Sequence, residues 1–336
     1  MADALQAAYD AFLFDLDGTV YRGPRPIPGA AAAIRQLRDQ GAPVRFVTNN
    51  ASKAPGDVAA HLRGLDLGAT PDEVSTSAQA AARLLGDRLP AGAVVLVVGT
   101  AALANEITAV GLEPVREAGD DVAAVVQGHN PATGWADLAE ACLAIRAGAL
   151  WVACNVDTTL PTERGLLPGN GSMVAALRAA TGATPEVAGK PEAPLFHTAA
   201  KSAGANRPLA IGDRLDTDIA GAVTAGMDSL CVLTGVATPA TLVTAVPAER
   251  PTYLGAGLGA LAEPADELRV APQPGWQVRR DGDTLLVTGE GDPLALLRTL
   301  CATAWDTGVT AVRAGDHSAG KALTELGLPS GGEPIR

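Results

Sequence analysis

Short apolar runs alternate along most of the chain with longer segments in which apolar residues recur at helical spacing. The near-continuous apolar runs are typical of parallel strands that are covered on both faces. We predict such strands at 11–14, 44–47, 94–98, 123–126, 150–153, 209–211 and 230–233. We predict the intervening helices at 29–40, 55–66, 78–88, 101–110, 134–147, 172–181, 192–203 and 217–225. This alternation predicts an α/β fold with a doubly wound parallel sheet.

The pattern changes from about residue 265 onward. Residues 276–280 and 284–288 have the pattern of two strands that are joined by the tight turn Asp281-Gly282-Asp283. A helix, a strand and a second helix are predicted to follow at 293–306, 309–313 and 318–326. We therefore expect a small separate α+β domain at 265–336.

Length and charge limit the classes of partner. A chain of 336 residues suggests two or three domains, at roughly 100–200 residues per domain. Its 25 basic and 37 acidic residues give a formal charge of −12. This balance argues against nucleic acid or an anionic membrane surface as the main partner, because both call for basic patches. An anionic small-molecule substrate stays open, because a local pocket can oppose the global field.

The cysteines and the apolar runs indicate a cellular compartment. Cys142, Cys154, Cys231 and Cys301 lack the paired spacing of a zinc module or a disulfide framework. The first residues lack the basic and apolar stretches of a signal peptide. No apolar run reaches the ~20 residues that a membrane span needs. We expect a cytoplasmic protein with reduced thiols and no membrane association.

Two carboxylates follow the first predicted strand, in Phe14-Asp15-Leu16-Asp17-Gly18-Thr19. Ligands of open α/β sheets bind at the carboxyl ends of the strands, which is where Asp15 and Asp17 fall. Two aspartates spaced by one residue suit a nucleophile beside an acid/base, both near a divalent cation. The alternative is an acidic pair that only caps a helix or a turn, for which Asp-Gly is common.

Three further polar segments lie at predicted strand ends or in a defined loop. Val47-Thr48-Asn49-Asn50 offers a hydroxyl, an amide and backbone N–H groups, which suit either a phosphate or a plain helix cap. Pro191 fixes the loop of Lys190, whose ammonium either neutralises a phosphoryl oxygen or lies solvated at the surface. Asp213 and Asp218, after the strand at 209–211, can hold a hard cation or form the acidic start of a helix.

The four segments follow one another in the order carboxylate pair, Thr-Asn, Lys and carboxylate pair. This order and chemistry resemble the four motifs of the haloacid-dehalogenase (HAD) superfamily, over residues of about 10 to 260. The segment between the second and third motifs resembles the α/β cap of the nitrophenyl-phosphatase and phosphoglycolate-phosphatase (NagD-like) branch. The resemblance implies a HAD-like Rossmannoid catalytic core at 1–89 and 187–262 and an inserted α/β cap domain at 90–186.

The resemblance also implies a Mg²⁺-dependent phosphatase that forms an aspartyl-phosphate. Asp15 is the expected nucleophile and Asp17 the expected acid/base, a second acid that dehalogenases lack because a halide needs no proton. The expected Mg²⁺ ligands are the Asp15 carboxylate, the Asp17 backbone carbonyl and Asp213. Asp218 is expected either to support the metal through water or to orient Lys190, and Arg214 is a further supporting residue. The expected phosphate-binding residues are Thr48, Asn49, Asn50 and Lys190.

The C-terminal domain loosely resembles part of an acetyltransferase-like fold, but 265–336 lacks the pyrophosphate-binding loop of those enzymes. An appended unit of this kind is similar to that of actinobacterial glycerol-3-phosphate phosphatases, which implies glycerol 3-phosphate as the substrate. 2-Phosphoglycolate and other small sugar or aryl phosphates stay open as alternatives. A role of the C-terminal domain in binding a ligand or in oligomerisation also stays open, as does a homodimer.

Overall fold

The structure is a computed structural model that describes residues 3–162 and 164–335. The chain divides into two compact units. The first unit comprises the residues up to Val44 and those from Ala205 onward, and the second comprises Arg45–Gly204. Among the described residues, no helix has the length and apolarity to cross a bilayer.

Strands and helices alternate over most of the described chain, which confirms the predicted α/β class. The strands are β1 (Ala11–Phe14), β2 (Tyr21–Arg22), β3 (Arg25–Pro26), β4 (Val44–Thr48), β5 (Val74–Thr76), β6 (Val94–Val98), β7 (Glu113–Val115), β8 (Val122–Gln127), β9 (Leu150–Ala153), β10 (Thr159–Thr162), β11 (Gly165–Pro168), β12 (Glu186–Val187), β13 (Pro208–Gly212), β14 (Asp228–Val232), β15 (Tyr253–Gly255), β16 (Trp276–Asp281), β17 (Thr284–Gly289), β18 (Ala311–Ala314) and β19 (Gly331–Pro334). The α-helices are α1 (Ala30–Asp39), α2 (Pro55–Gly64), α3 (Ser77–Gly86), α4 (Ala101–Ala109), α5 (Trp135–Arg146), α6 (Asn170–Thr181), α7 (Pro194–Ala203), α8 (Ala220–Thr224), α9 (Pro239–Val243), α10 (Ala265–Leu268), α11 (Pro293–Thr307) and α12 (His317–Glu325).

One predicted helix is wrong in its first half. The sequence predicts a single helix at 217–225, whereas the structure has a π-helical turn at Leu215–Ile219 that leads into α8. In this wide turn Ile219 N donates to Arg214 O at 3.1 Å. The turn also lets Arg214 N donate to the Asp218 carboxylate, a side-chain contact that helical periodicity does not encode.

Four parallel strands of the first unit lie in the order β15–β14–β13–β1. β1 is buried along its whole length and pairs with β13, so that Phe14 lies opposite Ile211. Because the two strands run in the same direction, the residues that follow them emerge at one edge of the sheet. This register brings the loop of Asp15 beside the loop of Asp213.

The C-terminal part of the first unit has a sheet of its own, in the order β16–β17–β18–β19. β16 and β17 form an antiparallel hairpin, β17 and β18 are parallel, and β18 and β19 are antiparallel. The predicted order of two strands, helix, strand and helix is confirmed. The last strand, β19, was not predicted, because Gly331-Gly332-Glu333-Pro334 has no apolar pattern.

The second unit contains a five-stranded parallel sheet in the order β12–β9–β8–β6–β7. Helices α5 and α6 cover one face of this sheet, where side chains such as Val125, Trp151 and Leu177 form a buried cluster. β4 pairs in parallel with β5, and β10 pairs with β11 as an antiparallel hairpin. The predicted boundaries of core and cap at 89/90 and 186/187 stay predictions.

Candidate active site

The first pair of carboxylates lies on the loop that follows β1. Asp15 N donates to Ile211 O at 2.8 Å, which extends the pairing of β1 with β13 by one residue. The chain then turns at Gly18, where φ is +89° and the backbone N–H donates to Tyr21 O at 2.7 Å. Asp15 is half-buried in this loop, whereas Asp17 is exposed. The two aspartates therefore have different surroundings, as two different chemical roles require.

Asp213 follows β13 and is fully buried. Its Oδ2 accepts a hydrogen bond from Val236 N at 2.7 Å, and its Oδ1 accepts one from the Thr19 hydroxyl at 3.2 Å. Its backbone carbonyl accepts a hydrogen bond from Ala237 N at 2.8 Å. These donors fix the position of the side chain and are themselves neutral, so they orient the negative charge without cancelling it.

Asp218 lies in the π-helical turn after β13 and is 3% exposed. Its Oδ2 accepts a hydrogen bond from Arg214 N at 3.1 Å. The Arg214 guanidinium forms a bidentate pair with the exposed Asp216, at 2.7 and 3.1 Å. Arg214 thus contacts Asp218 through its backbone N–H, and its charge is directed to Asp216.

Asp15, Asp213 and Asp218 form a cluster in which one carboxylate oxygen of each lies within 4.8 Å of the others. The oxygen ligands of an octahedral Mg²⁺ ion lie about 3–4 Å apart, because each is about 2.1 Å from the metal. Three carboxylates at this spacing repel one another, and a bound divalent cation offsets the repulsion. Magnesium prefers oxygen ligands, so three carboxylate oxygens that converge within this limit are a suitable donor set for it. Among the described residues, the Asp17 carboxylate does not belong to this cluster, so its backbone carbonyl stays the predicted contact.

In the second unit, β4 ends at Thr48 and Asn49 follows. The Asn49 side-chain oxygen accepts a hydrogen bond from Lys190 N at 2.8 Å, and its amide donates to Lys190 O at 3.0 Å. The Asn49 backbone carbonyl accepts hydrogen bonds from Ser77 Oγ at 2.6 Å and Asn155 Nδ2 at 2.7 Å. The Asn49 side chain therefore clamps the main chain of Lys190. Sequence reasoning missed this clamp and its supports, because no local pattern links residues so far apart.

Lys190 is 3% exposed, and its Nζ donates to Val47 O at 3.5 Å. A Cβ at the preceding Gly189 would lie 2.5 Å from Cys154 O and 2.6 Å from Asn49 Oδ1, so the chain can pass here only as glycine. Burial raises the pKa of the Cys154 thiol to about 12, which keeps it protonated. The loop of Lys190 is thus fixed at the carboxyl end of β4, and the adjacent cysteine is no nucleophile.

The rest of the Thr-Asn segment orders its own loop. Thr48 Oγ1 accepts a hydrogen bond from Asn50 N at 3.1 Å. Asn50 Oδ1 accepts hydrogen bonds from both Ser52 N and Ser52 Oγ at 2.8 Å. These contacts have the geometry of local side-chain turns. The helix cap that the sequence allowed as the alternative to a phosphate site is not what they form, because the residue at the N-cap of α2 is Ala54.

The predicted site residues fall on both compact units. The first unit holds Asp15, Asp17, Asp213, Arg214 and Asp218. The second unit holds Thr48, Asn49, Asn50 and Lys190. Within the units, the structure brings three of the aspartates together, and it joins Asn49 to Lys190. A common site for the two sets stays a prediction.

Two segments of the chain match families of known hydrolases. Residues 12–113 match the haloacid dehalogenase-like hydrolases, and residues 187–261 match a HAD-hydrolase-like family. The D-glycerol 3-phosphate phosphatase of Mycobacterium tuberculosis is 51% identical over 97% of this chain and 96% of its own length. The chain belongs to the haloacid dehalogenase-like hydrolase family. The predicted family and HAD-like fold are confirmed.

Solved structures of phosphatases are also similar to this chain. A crystal structure of glycerol phosphate phosphatase from Mycobacterium tuberculosis in complex with magnesium is similar with a TM-score of 0.93 and 51% identity, and the match covers 98% of this chain and 100% of that one. A double mutant of a thermostable NPPase from Geobacillus stearothermophilus has a TM-score of 0.68 and 35% identity, with 77% of this chain and 98% of that one covered. The mycobacterial enzyme thus matches nearly the whole chain, including the C-terminal domain.

Residues 273–328 match a GCN5-related N-acetyltransferase-like domain, as the sequence suggested. That fold family implies an acyl-coenzyme A, an anion that a helix N-terminus would suit. In this HAD hydrolase the Asp316 carboxylate lies at the start of α12, where it accepts hydrogen bonds from Ala319 N and Gly289 N at 2.8 Å. These hydrogen bonds hold the pKa of Asp316 below its ordinary value. A carboxylate at this point repels an anion and takes up these N–H groups, so the N-terminus of α12 does not fit the anionic part of an acyl-coenzyme A.

Proposed function

We propose that this HAD hydrolase converts glycerol 3-phosphate and water into glycerol and inorganic phosphate, with Mg²⁺ as its cofactor. The cluster of Asp15, Asp213 and Asp218 carries the proposal, because convergent carboxylates bind the divalent ion used in phosphoryl transfer. The mycobacterial relative supports the substrate, since its identity of 51% extends over 97% of this chain. The phosphatase relatives and the magnesium-bound crystal structure confirm the predicted reaction class and metal.

Asp15 is the proposed nucleophile and Asp17 the proposed acid and base. A carboxylate oxygen of Asp15 attacks phosphorus, the bond from phosphorus to the alcohol oxygen breaks, and an aspartyl-phosphate forms. Asp17 gives its proton to the departing alcohol oxygen. It then takes a proton from the water that attacks phosphorus and releases the Asp15 carboxylate. Bound Mg²⁺ supplies positive charge that lessens the repulsion between the anionic nucleophile and the phosphate.

We assign the phosphoryl oxygens to a second set of donors. These are the Thr48 hydroxyl, the Asn49 backbone N–H, the Asn50 side-chain amide and the Lys190 ammonium. The clamp from the Asn49 side chain to the main chain of Lys190 supports this assignment, because a fixed ammonium stabilises transition-state charge better than a mobile one. Positive charge at this point also lets a chain of formal charge −12 accept an anionic substrate.

Other small phosphate monoesters are the competing substrates. The 5'-nucleotidase YutF of Bacillus subtilis is 40% identical over 68% of this chain, so relatives within the family carry different substrate names. Initial rates with glycerol 3-phosphate, 2-phosphoglycolate, a sugar phosphate and p-nitrophenyl phosphate decide between them. We expect the highest kcat/KM with glycerol 3-phosphate. A higher value for another ester would reassign the substrate and leave the reaction class intact.

Asp15→Asn tests the reaction route. The substitution keeps the size of the side chain and removes the nucleophilic charge, so we expect kcat to fall by at least about 10⁴-fold. Phosphate release measures the rate, and circular dichroism checks the fold. Asp39→Asn is the matched control, because Asp39 is an exposed aspartate at the end of α1. Turnover in Asp15→Asn within tenfold of the wild type would exclude the covalent route.

We also propose a cytoplasmic location and keep the homodimer as a prediction. All four cysteines are free thiols, which suits a reducing compartment. Sedimentation velocity on the full chain measures the assembly. A monomer at micromolar concentration would contradict the homodimer, and it would also exclude oligomerisation as the role of the C-terminal domain.

A further inference from the structure

The C-terminal domain shares one hydrophobic core with the elements that follow Asp213. In the part of the first unit that precedes residue 265, called the catalytic unit below, the core includes Ile219, Leu242 and Leu254. In the C-terminal domain it includes Leu296 and Leu300. All five side chains are fully buried. The C-terminal domain is therefore packed into the catalytic unit and is not a module on a flexible linker.

Two side chains of α11 add directional bonds to this packing. Trp305 Nε1 donates to Leu242 O, in the last turn of α9, at 2.9 Å. Arg298 is 5% exposed, and its Nε donates to Leu254 O in β15 at 3.0 Å. The Arg250 guanidinium lies 5.3 Å from the centre of the Trp305 ring, on the side of the catalytic unit. Helix α11 thus fixes α9 as well as the edge strand of the sheet.

The residues just before the N-terminus of α9 bind the proposed metal ligand Asp213. Thr238 caps the helix, because its hydroxyl accepts a hydrogen bond from Thr241 N at 3.2 Å. The two residues before the cap hold Asp213: Val236 N binds its carboxylate at 2.7 Å and Ala237 N binds its backbone carbonyl at 2.8 Å. One helix of five residues therefore separates the contact with Trp305 from the contacts with Asp213.

We propose that Trp305 is a positioning residue for the magnesium ligand Asp213, so that the C-terminal domain sets the Mg²⁺ affinity of the catalytic unit. The inference rests on the metal site proposed above. A helix of five residues is too short to hold its place by its own hydrogen bonds, so tertiary contacts determine where α9 lies. A displacement of α9 moves Val236 N and Ala237 N, and with them the carboxylate that they orient.

Trp305→Phe tests the proposal in the full chain. The variant keeps an aromatic ring and removes the N–H group that binds Leu242 O. We expect the Mg²⁺ dissociation constant, measured by isothermal titration calorimetry, to rise about two- to tenfold. We expect kcat at saturating Mg²⁺ to stay near the wild-type value, because the ligands themselves are unchanged. Thr238→Ala is a second variant, which loosens α9 at an exposed position and should shift the constant in the same direction.

Leu323→Val is the matched control. Leu323 is fully buried in the same hydrophobic core, on α12, which packs on β17, β18 and α11. This variant should lower the midpoint of urea unfolding and keep the wild-type Mg²⁺ dissociation constant. An equal shift of the constant in Leu323→Val and Trp305→Phe would overturn the proposal, because general loss of stability would then explain both.

Three further outcomes separate this proposal from the proposed function. A wild-type Mg²⁺ dissociation constant in both Trp305→Phe and Thr238→Ala overturns the positioning role alone. Wild-type Mg²⁺ affinity in Asp213→Asn overturns the metal site together with this inference. A wild-type enzyme that leaves glycerol 3-phosphate intact, with the Mg²⁺ shift present in Trp305→Phe, overturns only the substrate and supports the positioning role.

Discussion

Replacing Gly235 with alanine would place a methyl group against the carboxylate of Asp213. A Cβ built on the Gly235 backbone would lie 1.8 Å from Oδ2 and 2.3 Å from Cγ of that side chain. Gly18 approaches the same carboxylate, since a Cβ on its backbone would lie 2.4 Å from Oδ2. The hydrogen bonds from Val236 N and the Thr19 hydroxyl hold the carboxylate between these glycines. The methyl group must therefore displace Asp213 or its own loop.

The size of the effect follows from the overlap. Extra atoms in a well-packed site cost about 1–3 kcal/mol. If the whole cost falls on the ion-bound state, the Mg²⁺ dissociation constant rises by about 5- to 150-fold, since each 1.4 kcal/mol is about a factor of ten. If the loop moves instead of Asp213, the cost appears as a lower free energy of unfolding in the absence of Mg²⁺.

Two measurements separate these results. Isothermal titration calorimetry gives the Mg²⁺ dissociation constant of Gly235→Ala, and urea unfolding in EDTA gives its stability without the ion. Gly259→Ala is the matched control, because a Cβ there has no neighbour within 4 Å and the backbone lies outside the left-handed region. The control should match the wild type in both measurements. Wild-type Mg²⁺ affinity and wild-type stability in Gly235→Ala would refute the reasoning.

Two other predictions concern the loop of Lys190 and the cysteines. Asn49→Ala removes both hydrogen bonds to the main chain of Lys190, at about 0.5–1.5 kcal/mol each, so kcat/KM should fall by about 5- to 150-fold in steady-state kinetics. An unchanged kcat/KM would contradict the clamp. Iodoacetamide at about pH 8 should label the partly exposed Cys142 and spare the three buried cysteines. Burial raises the pKa of each of those three thiols, to about 12 for Cys154, so they stay protonated and unreactive. Peptide mass spectrometry of the folded protein checks the pattern, and labelled Cys154 would contradict it.

Sequence patterns predicted the central strands because burial on both faces leaves an apolar run. β1 and β6, for example, lie at their predicted bounds. Short strands were missed for the opposite reason. β5 has three residues and β12 has two, which is too few to show a hydrophobic period. These segments are strands because they pair with the longer strands β4 and β9. The hairpin of β10 and β11 pairs only within itself in the described sheets, so its sequence lacks the apolar run of a covered strand.

Motif spacing also predicted which residues to examine in the candidate site but not how they are held. The five-residue spacing of Asp213 and Asp218 allows either a direct or an indirect role for Asp218. The π-helical turn places an Asp218 oxygen in the cluster with Asp213 and Asp15, and it also brings the Asp218 carboxylate to Arg214 N. The bond from Val236 N to Asp213 joins residues 23 positions apart, so only the folded chain reveals it.

In the C-terminal domain, a carboxylate caps the N-terminus of α12, and helix α11 packs against the catalytic unit. At α12 the Asp316 carboxylate accepts the Ala319 N–H group, which a helix N-terminus would otherwise offer to an anionic ligand. At α11, Trp305 and Arg298 bind the backbone of Leu242 and Leu254, whose side chains are fully buried in the shared core. Exposing those two leucines would cost about 3–6 kcal/mol, at 1.5–3 kcal/mol each. A domain of this size is stable by only about 5–15 kcal/mol, so the appended residues contribute a large share of the stability of the unit that carries the metal ligands.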